Sequence, residues 1–285
     1  MTRAKQHSRF SHYERVELAG KTVLVPYPTR IPREKLVERD DLQNRCLAAW
    51  MRQDGIPSLN FRLYGPPGCG KNAVVYWLAQ HQGMDLYIIN GHQELGPEDI
   101  ACTVTMTSSQ TIEYVASPLF AAILRGGICF FDEIGKAPTS ALDPLASVLD
   151  DRRTLTSVQA GIHLQAHPDF LFCAALNQDE EEGLGLPGFI DERTRPAILV
   201  DYPSRQVMER ILRANLPTAG DLWFQVFFEE YQNGLSPRVA VTMLNYAYSL
   251  SRMAGRKSPD AGRIKVYLEQ AHKDVKPPKG RRELS

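Results

Sequence analysis

Gly65-Pro66-Pro67-Gly68-Cys69-Gly70-Lys71-Asn72 is the stretch on which the fold turns. It follows a short apolar run, Phe61-Arg62-Leu63-Tyr64, that reads as a strand. It opens Ala73-Val74-Val75-Tyr76-Trp77-Leu78-Ala79, a segment of helical spacing with no breaker. A glycine loop closed by Gly-Lys between a strand and a helix reads as a phosphate-binding loop, not as a Gly/Pro turn beside a surface lysine. Glycines let consecutive backbone N–H groups converge on phosphate oxygens, and the helix N-terminus adds partial positive charge. Lys71 is then placed to reach the β- and γ-phosphates of a nucleotide. The eighth position departs from the pattern: Asn72 stands where a Ser or Thr hydroxyl helps hold Mg²⁺.

Working outward, Gly83 ends the helix and Asp85-Leu86-Tyr87-Ile88-Ile89-Asn90 makes a second apolar strand. Two strands joined through a helix form a βαβ unit, which needs a parallel sheet. Ser117-Pro118-Leu119 begins a further helix with Pro at its first position. Gly127-Ile128-Cys129-Phe130-Phe131-Asp132-Glu133 is an apolar strand that ends in adjacent carboxylates. Charge at the end of a buried strand is costly unless a cation meets it, and the Mg²⁺ of a bound Mg²⁺-nucleotide is that cation in a protein with a phosphate loop. Asp132 would hold the metal through water and Glu133 would polarise the attacking water. The alternative, a solvated helix start, is the weaker reading in this context.

Past these acids, Ser140-Ala141-Leu142-Asp143 reads as a helix cap followed by an apolar stripe of Leu142, Leu145, Val148 and Leu149. Arg153 to Thr156 and Gly161 to Leu164 alternate about a turn and predict a β-hairpin. Phe170 to Leu176 is another buried strand, ending in Asn177. An amide there would point into the crevice where open parallel sheets bind ligands, or would merely cap a turn. Arg193 and Arg195 precede the strand Ala197 to Val200. They are either ion-pair partners of Asp191 and Glu192 or arginine fingers directed at a neighbouring subunit's nucleotide. From Tyr202 onward only helices are expected, at Arg205–Asn215, Asp221–Gln232, a run capped by Ser236 with Pro237 first and ending at Met253, and a last one at Lys265–Val275. Arg238 stands in a first helical turn, where a cation opposes the helix dipole and so hints at a bound anion.

The bulk numbers fit a soluble globular chain of 285 residues with 43% hydrophobic residues. Lys plus Arg and Asp plus Glu are 33 each, so the net charge is zero, and neither a dedicated nucleic-acid binder nor a membrane binder is indicated. Cys46, Cys69, Cys102, Cys129 and Cys173 show no metal spacing and read as reduced thiols. With a polar, basic N-terminus lacking an apolar signal region, the expectation is a cytoplasmic protein. Residues Met1 to Arg15 read as a disordered terminus, Thr22 to Tyr27 as a short edge strand, Asp179 to Glu182 as a solvated loop, and Lys276 to Arg282 as a flexible tail.

Taken in order, Gly65 to Lys71, Phe131-Asp132-Glu133-Ile134, the strand ending at Asn177, the Arg193/Arg195 pair and Ser236-Pro237-Arg238 resemble the AAA+ ATPases. Ser117-Pro118-Leu119, Asp132-Glu133-Ile134-Gly135-Lys136-Ala137-Pro138 and Ala166-His167-Pro168-Asp169-Phe170 are similar to the MoxR branch, with its CbbQ-like and dynein-related members. The resemblance spans roughly Leu36 to Met253. It implies an α/β fold with an ASCE-type parallel sheet flanked by helices, a small all-α lid, and a hexameric ring with nucleotide at subunit interfaces. The implied division is 1–35 as N-terminal arm and extended segment, 36–201 as P-loop core, 202–275 as helical lid and 276–285 as tail.

The resemblance also implies ATP and Mg²⁺ as cofactors. Nucleotide would lie on Gly65, Pro66, Pro67, Gly68, Cys69, Gly70, Lys71, Asn72 and Arg238, and the metal on Asp132 and Asn72. Glu133 would be the catalytic acid and Asn177 the first sensor, with Arg193 or Arg195 as finger; Arg195 fits the spacing to Asp201-Tyr202-Pro203 slightly better. Glu98 to Ile112 would hold the branch's helix-2 insertion and Arg153 to Pro168 its hairpin before the first sensor. A client or accessory protein, often carrying a von Willebrand factor A domain, comes from the family alone. Two functions are carried forward, an ATP-hydrolysing remodeller and a nucleotide-gated scaffold, with a nucleic-acid motor disfavoured by the zero net charge.

Overall fold

Apolar runs that must be covered on both faces go to the middle of a parallel sheet, and the strands around the glycine loop do so. In the computed structural model, which describes residues 12–31, 37, 39, 41–52, 58–106, 111–177, 186–231, 234–255 and 258–275, the strands run in chain order. They are β1 (Tyr13–Leu18), β2 (Lys21–Pro26), β3 (Phe61–Gly65), β4 (Leu86–Asn90), β5 (Cys102–Met106), β6 (Ile112–Ala116), β7 (Ile128–Asp132), β8 (Thr154–Ser157), β9 (Ile162–Gln165), β10 (Leu171–Asn177) and β11 (Ala197–Leu199). The helices are α1 (Asp41–Trp50), α2 (Lys71–Gln82), α3 (Pro97–Ile100), α4 (Pro118–Arg125), α5 (Leu145–Val148), α6 (Gly188–Asp191), α7 (Arg205–Asn215), α8 (Asp221–Glu230), α9 (Pro237–Met253) and α10 (Ala261–Val275).

By its internal contacts the chain divides into two units. The first comprises 1–31, 43–64 and 78–199; the second comprises 32–42, 65–77 and 200–285. The glycine loop therefore groups with the C-terminal helices, although it continues directly from a strand of the first unit.

The first unit holds a five-stranded sheet in the order β11-β3-β10-β7-β4. β7 lies parallel to both β10 and β4, and β11 lies parallel to β3. This is the α/β parallel-sheet fold expected from the βαβ reading. The register sets Asn90 beside Asp132 and Cys173 beside Phe130, so the carboxyl ends of β4, β7 and β10 gather at one edge. The core under this sheet is built from Phe131, Phe172, Ala174 and Leu176 together with α4, whose Leu119, Phe120 and Ile123 are buried. Ser117 caps α4 by accepting from the Phe120 N–H at 3.0 Å, and Gly126 ends it in the left-handed conformation.

A second sheet in this unit runs β1-β2-β6-β5. It corrects the reading of Thr22 to Tyr27 as an edge strand, because β2 pairs with β1 on one side and β6 on the other. The reason lies in the buried run Val23-Leu24-Val25, which packs on α4 while the alternating polar strand β1 supplies the edge. Glu98 to Met106 and Ile112 form the end of α3 and the antiparallel β5–β6 pair; 107–110 lie outside the described residues. The β8–β9 hairpin stands where alternation placed it. The single helix read from Ser140 onward is instead a 3₁₀ turn at Thr139–Leu142 and the four-residue α5, interrupted by Pro144, with Leu142, Leu145, Val148 and Leu149 all buried.

In the second unit, α7 to α10 pack around Leu212, Trp223, Phe224, Phe227, Met243, Leu244, Ile264 and Leu268. Each fully buried side chain of this size contributes about 1.5–3 kcal/mol. Ser204 and Ser236 cap α7 and α9 through their hydroxyls, the second as read from sequence. α10 starts before Lys265, at Ala261, because the Asp260 carboxylate accepts from the Arg263 N–H at 3.0 Å. The acidic run 179–182 and the tail 276–285 lie outside the described residues, as does the basic terminus up to residue 11. No described helix is long and apolar enough to cross a membrane.

All five cysteines are buried thiols. Burial pushes Cys102 up to about 11 and Cys46 up to about 12, and raises Cys129, Cys173 and Cys69 as well, so these thiols stay protonated and inert near neutral pH.

Candidate functional site

The loop in the second unit is shaped by steric exclusion. A Cβ on Gly65 would lie 2.1 Å from the carbonyl oxygen of Val200, so no side chain fits there. Gly68 holds φ +74°, and a Cβ on it would stand 3.0 Å from Ser236 Oγ and 3.4 Å from Arg238 Cβ. The loop is thereby seated on the first turn of α9, and the structure brings Gly65 to Asn72 together with the exposed Arg238. Lys71 is only 8% exposed, and its Nζ donates to the carbonyl oxygens of Gly65 at 2.8 Å and Pro66 at 3.3 Å. Asn72 is half-buried in the first turn of α2.

Behind the loop stands Arg39, which the sequence reading did not single out. Its Nη1 donates to the carbonyl of Cys69 at 3.0 Å and its Nη2 to the carbonyl of Asp201 at 2.5 Å. A phosphate loop aims its N–H groups at the ligand, so its carbonyls need donors on the other side, and the guanidinium supplies one. Burial pulls the Arg39 pKa down, opposed by its neighbours Cys69 and Asp201.

The acids lie in the first unit, where Asp132 and Glu133 are half-buried at the end of β7. The Gly91 N–H donates to the Asp132 carbonyl at 2.8 Å. Glu133 adopts φ +54° and ψ 38°, a left-handed conformation that costs a non-glycine residue of order 1–3 kcal/mol. Its carboxylate pairs with Lys136 Nζ at 2.8 Å, both side chains being 44% exposed. Asn177, half-buried, ends the neighbouring strand β10 just beyond the level of Asp132. Asp132, Glu133 and Asn177 thus share the carboxyl edge of the sheet.

Arg193 and Arg195 do not join them. They precede β11, whose first residue Ala197 pairs with Arg62 near the start of β3, and so they lie toward the amino edge. Arg193 is half-buried and donates to the Phe189 carbonyl at 2.9 Å. Arg195 is exposed, and its Nη2 meets Asp191 Oδ2 at 2.6 Å. The other carboxylate oxygen of Asp191 accepts from Arg62 Nη2 at 2.6 Å. Arg62 is 1% exposed and also donates to the carbonyls of Asp191 and Thr194 and to the Thr194 hydroxyl. The pairing of Asp191 with Arg195, read as one alternative from sequence, is present; the buried Arg62 behind it was missed. A lone cation in an apolar strand was the signal, since a buried charge requires a partner.

With this geometry in view, comparison with known proteins is informative. Residues 60–187 match the AAA domain of the dynein-related subfamily. The chain is 36% identical over 168 residues to the denitrification regulatory protein NirQ of Pseudomonas aeruginosa, covering 58% of this chain and 61% of that protein. It is 32% identical over 115 residues to the protein NorQ of Paracoccus denitrificans, covering 40% of this chain and 42% of that one. The chain thus spans less than two-thirds of the length of these curated relatives. Among solved structures, a RuvB variant of Thermotoga maritima superposes with a TM-score of 0.61 at 15% identity, covering 85% of this chain and 73% of that one, a likeness of fold alone. Residues 60–187 thus match the AAA domain of the dynein-related subfamily, and part of the chain is similar to NirQ and NorQ.

Proposed function

We propose that this chain binds ATP with Mg²⁺, hydrolyses it, and uses the cycle in a homo-oligomeric ring, a hexamer, to remodel a partner protein. The observation that carries the reading is the loop itself. It is free of side chains at Gly65 and Gly68, with Lys71 folded into it and the Arg238 turn seated against it. These residues fit a nucleotide. The loop excludes a Cβ where phosphate binding needs bare backbone, and Lys71 and Arg238 supply the cationic charge. Bound Mg²⁺-ATP supplies the transferable phosphoryl group and the charge that Asp132 and the Asn72 carboxamide oxygen would meet.

Within the chain, Lys71 exchanges its two backbone carbonyl partners for phosphate oxygens. Asp132 would hold the metal, and Glu133 would orient the attacking water once its carboxylate leaves Lys136. Asn177 fixes the position of that water from the neighbouring strand end. Arg193 or Arg195, lying away from the acids of its own chain, acts on a neighbouring subunit's nucleotide. The ring, the cytoplasmic setting and a client or accessory protein, in the family's manner one with a von Willebrand factor A domain, belong to this proposal. Similarity to proteins described as denitrification regulatory proteins supports a regulatory role.

A nucleotide-gated scaffold with little turnover is the second reading. It is favoured by Asn72 in place of a hydroxyl and by the ion pair that occupies Glu133. ATP turnover by wild type beside Glu133→Gln and Lys71→Ala separates the two. The enzyme reading expects wild type to exceed Glu133→Gln by tenfold or more and Lys71→Ala to lose nucleotide binding. Equal rates with binding intact would leave the scaffold.

A further inference from the structure

We propose that the cleft between the end of α1, the end of α2 and the start of β10 is a docking pocket for a segment of a partner protein that carries a bulky apolar side chain beside a carboxylate. Such docking goes beyond the proposed function and stands whether or not ATP is hydrolysed.

The cleft holds about 430 Å³, and every residue that lines it belongs to the first unit. Leu171 begins β10 and Asn177 ends it, so the cleft lies at the amino edge of the sheet, about 20 Å from the edge that carries Asp132 and Asn177. An occupant there leaves the carboxyl edge uncovered.

The floor is apolar. Trp50 and Leu171 are only 3% and 5% exposed, and the indole N–H of Trp50 is already committed to the Phe172 carbonyl at 3.3 Å. What Trp50 offers the cleft is therefore apolar surface. Met51, 55% exposed, and the half-buried Met84 complete this part. Their unbranched thioether chains adapt to apolar groups of different shape.

The rim is cationic. Arg52 Nη1 meets Asp169 Oδ1 at 2.6 Å, with both side chains about half exposed, and a pair so wet contributes little and exchanges partners readily. The Asp169 N–H donates to His167 Nδ1 at 3.0 Å, so the neutral ring carries its proton on Nε2, which has no partner among the described residues. Arg153 donates from Nη2 to the Phe170 carbonyl at 2.8 Å, and no carboxylate pairs with it among the described residues. Burial, and then the nearby charge of Arg52, pull its pKa down. Two guanidiniums and an imidazole N–H are thus set against one carboxylate, and the complement of that excess beside an apolar floor is an anion on an apolar body. With Met51, Arg52 and Asp169 exposed at its mouth, the cleft covers one face of an occupant. Free small ligands are held by burying roughly 70–90% of their surface, so a segment anchored elsewhere on its own protein fits better.

The test is fluorescence anisotropy of a fluorescein-labelled peptide, Gly-Ser-Glu-Phe-Glu-Ser-Gly, titrated with the full chain in the absence of nucleotide. Two counterparts accompany it, one with Lys for both Glu residues and one with Ser for Phe. The acidic peptide should bind about tenfold tighter than either at low salt, and its margin over the Lys peptide should shrink as salt is added. Arg52→Gln should weaken it about tenfold through loss of a charge-assisted hydrogen bond. Met51→Ser should weaken it about threefold through lost apolar contact. Asp169→Asn removes the competing carboxylate and should tighten binding about threefold. All three changes are at exposed side chains, and unchanged melting temperatures check that the variants are folded.

Docking is overturned if the acidic and Lys peptides bind alike, or if Arg52→Gln leaves the Kd of the acidic peptide within about twofold of wild type. Binding of 3-phenylpropionate as tight as that of the peptide would overturn it in favour of a free small acid. Self-association that sedimentation shows in wild type and not in Arg52→Gln would overturn it in favour of a second copy of this chain.

Discussion

A Cβ on Gly91 would lie 2.2 Å from the carbonyl oxygen of Glu133 and 3.4 Å from that of Asp132. The chain leaving β4 therefore passes so close beside the acids that only hydrogen fits, and the Gly91 N–H uses the proximity to donate to the Asp132 carbonyl at 2.8 Å. Glu133, in its left-handed conformation, directly follows the residue that accepts this bond. Gly91→Ala should push the Glu133 peptide out of place while leaving the nucleotide loop untouched. The expected result is a drop in kcat of about tenfold or more with ATP affinity within about twofold, read by steady-state kinetics and fluorescent-nucleotide titration. Turnover equal to wild type would show that Glu133 tolerates the shift.

Arg39 should matter for binding and not for discrimination. Because it supports the Cys69 carbonyl behind the loop, Arg39→Met should raise Kd about tenfold for ATP and ADP alike, with Arg39→Lys intermediate. A loss confined to ATP would mean that Arg39 touches the γ-phosphate directly, contrary to its placement.

Asn72 keeps an acceptor oxygen but a longer and weaker one than a hydroxyl. Asn72→Thr should therefore speed Mg²⁺-dependent turnover by several-fold and lower the Mg²⁺ concentration needed for half-maximal rate. A slower enzyme, in a metal titration of both proteins, would assign Asn72 a role of its own.

Acid should weaken the fold through Asp191. Its carboxyl is held below the usual range first by the hydrogen bond from Arg195, with Arg62 adding to the effect and desolvation opposing it. A depressed folded-state pKa gives stability that is present above the ordinary carboxylate value, near 4, and lost as pH falls through the lowered one. Protonation also strands the buried Arg62. Asp191→Asn should cost toward the low end of roughly 3–5 kcal/mol at neutral pH, since Arg62 keeps its Thr194 partners. It should also flatten the acid limb of the stability curve below about pH 4, measured by urea unfolding across pH. An unchanged acid limb in Asp191→Asn would assign the acid sensitivity to other carboxylates.

Features with a local signature were legible in the sequence. The glycine loop, the strand running into Asp132-Glu133, Asn177 at a strand end and Ser236-Pro237 at a helix start each announce themselves through periodicity or capping chemistry. What escaped notice depends on contacts distant in sequence. Arg39 meets Cys69 and Asp201, neighbours that only folding supplies. Gly91 was not singled out, because its need for a bare Cα arises from Glu133 far along the chain. β2 was misplaced at an edge since its parallel partner β6 follows about ninety residues later, beyond any local window. The helix after the acids broke up because Pro144 outweighed an apolar stripe that is buried all the same.

Ser236 Oγ would stand 3.0 Å from a Cβ on Gly68, and that proximity has a bearing on what fragment of this chain can work. The segment that carries the family signature, 60–187, stops short of Val200, Ser236 and Arg238, and it begins after Arg39. All four lie against the phosphate loop or hold its backbone. Cut at its signature boundaries, the chain would retain every letter of the glycine motif and lose the walls that give the motif its shape. On the proposed reading, nucleotide affinity depends on residues outside that segment and should not be recoverable from 60–187 alone.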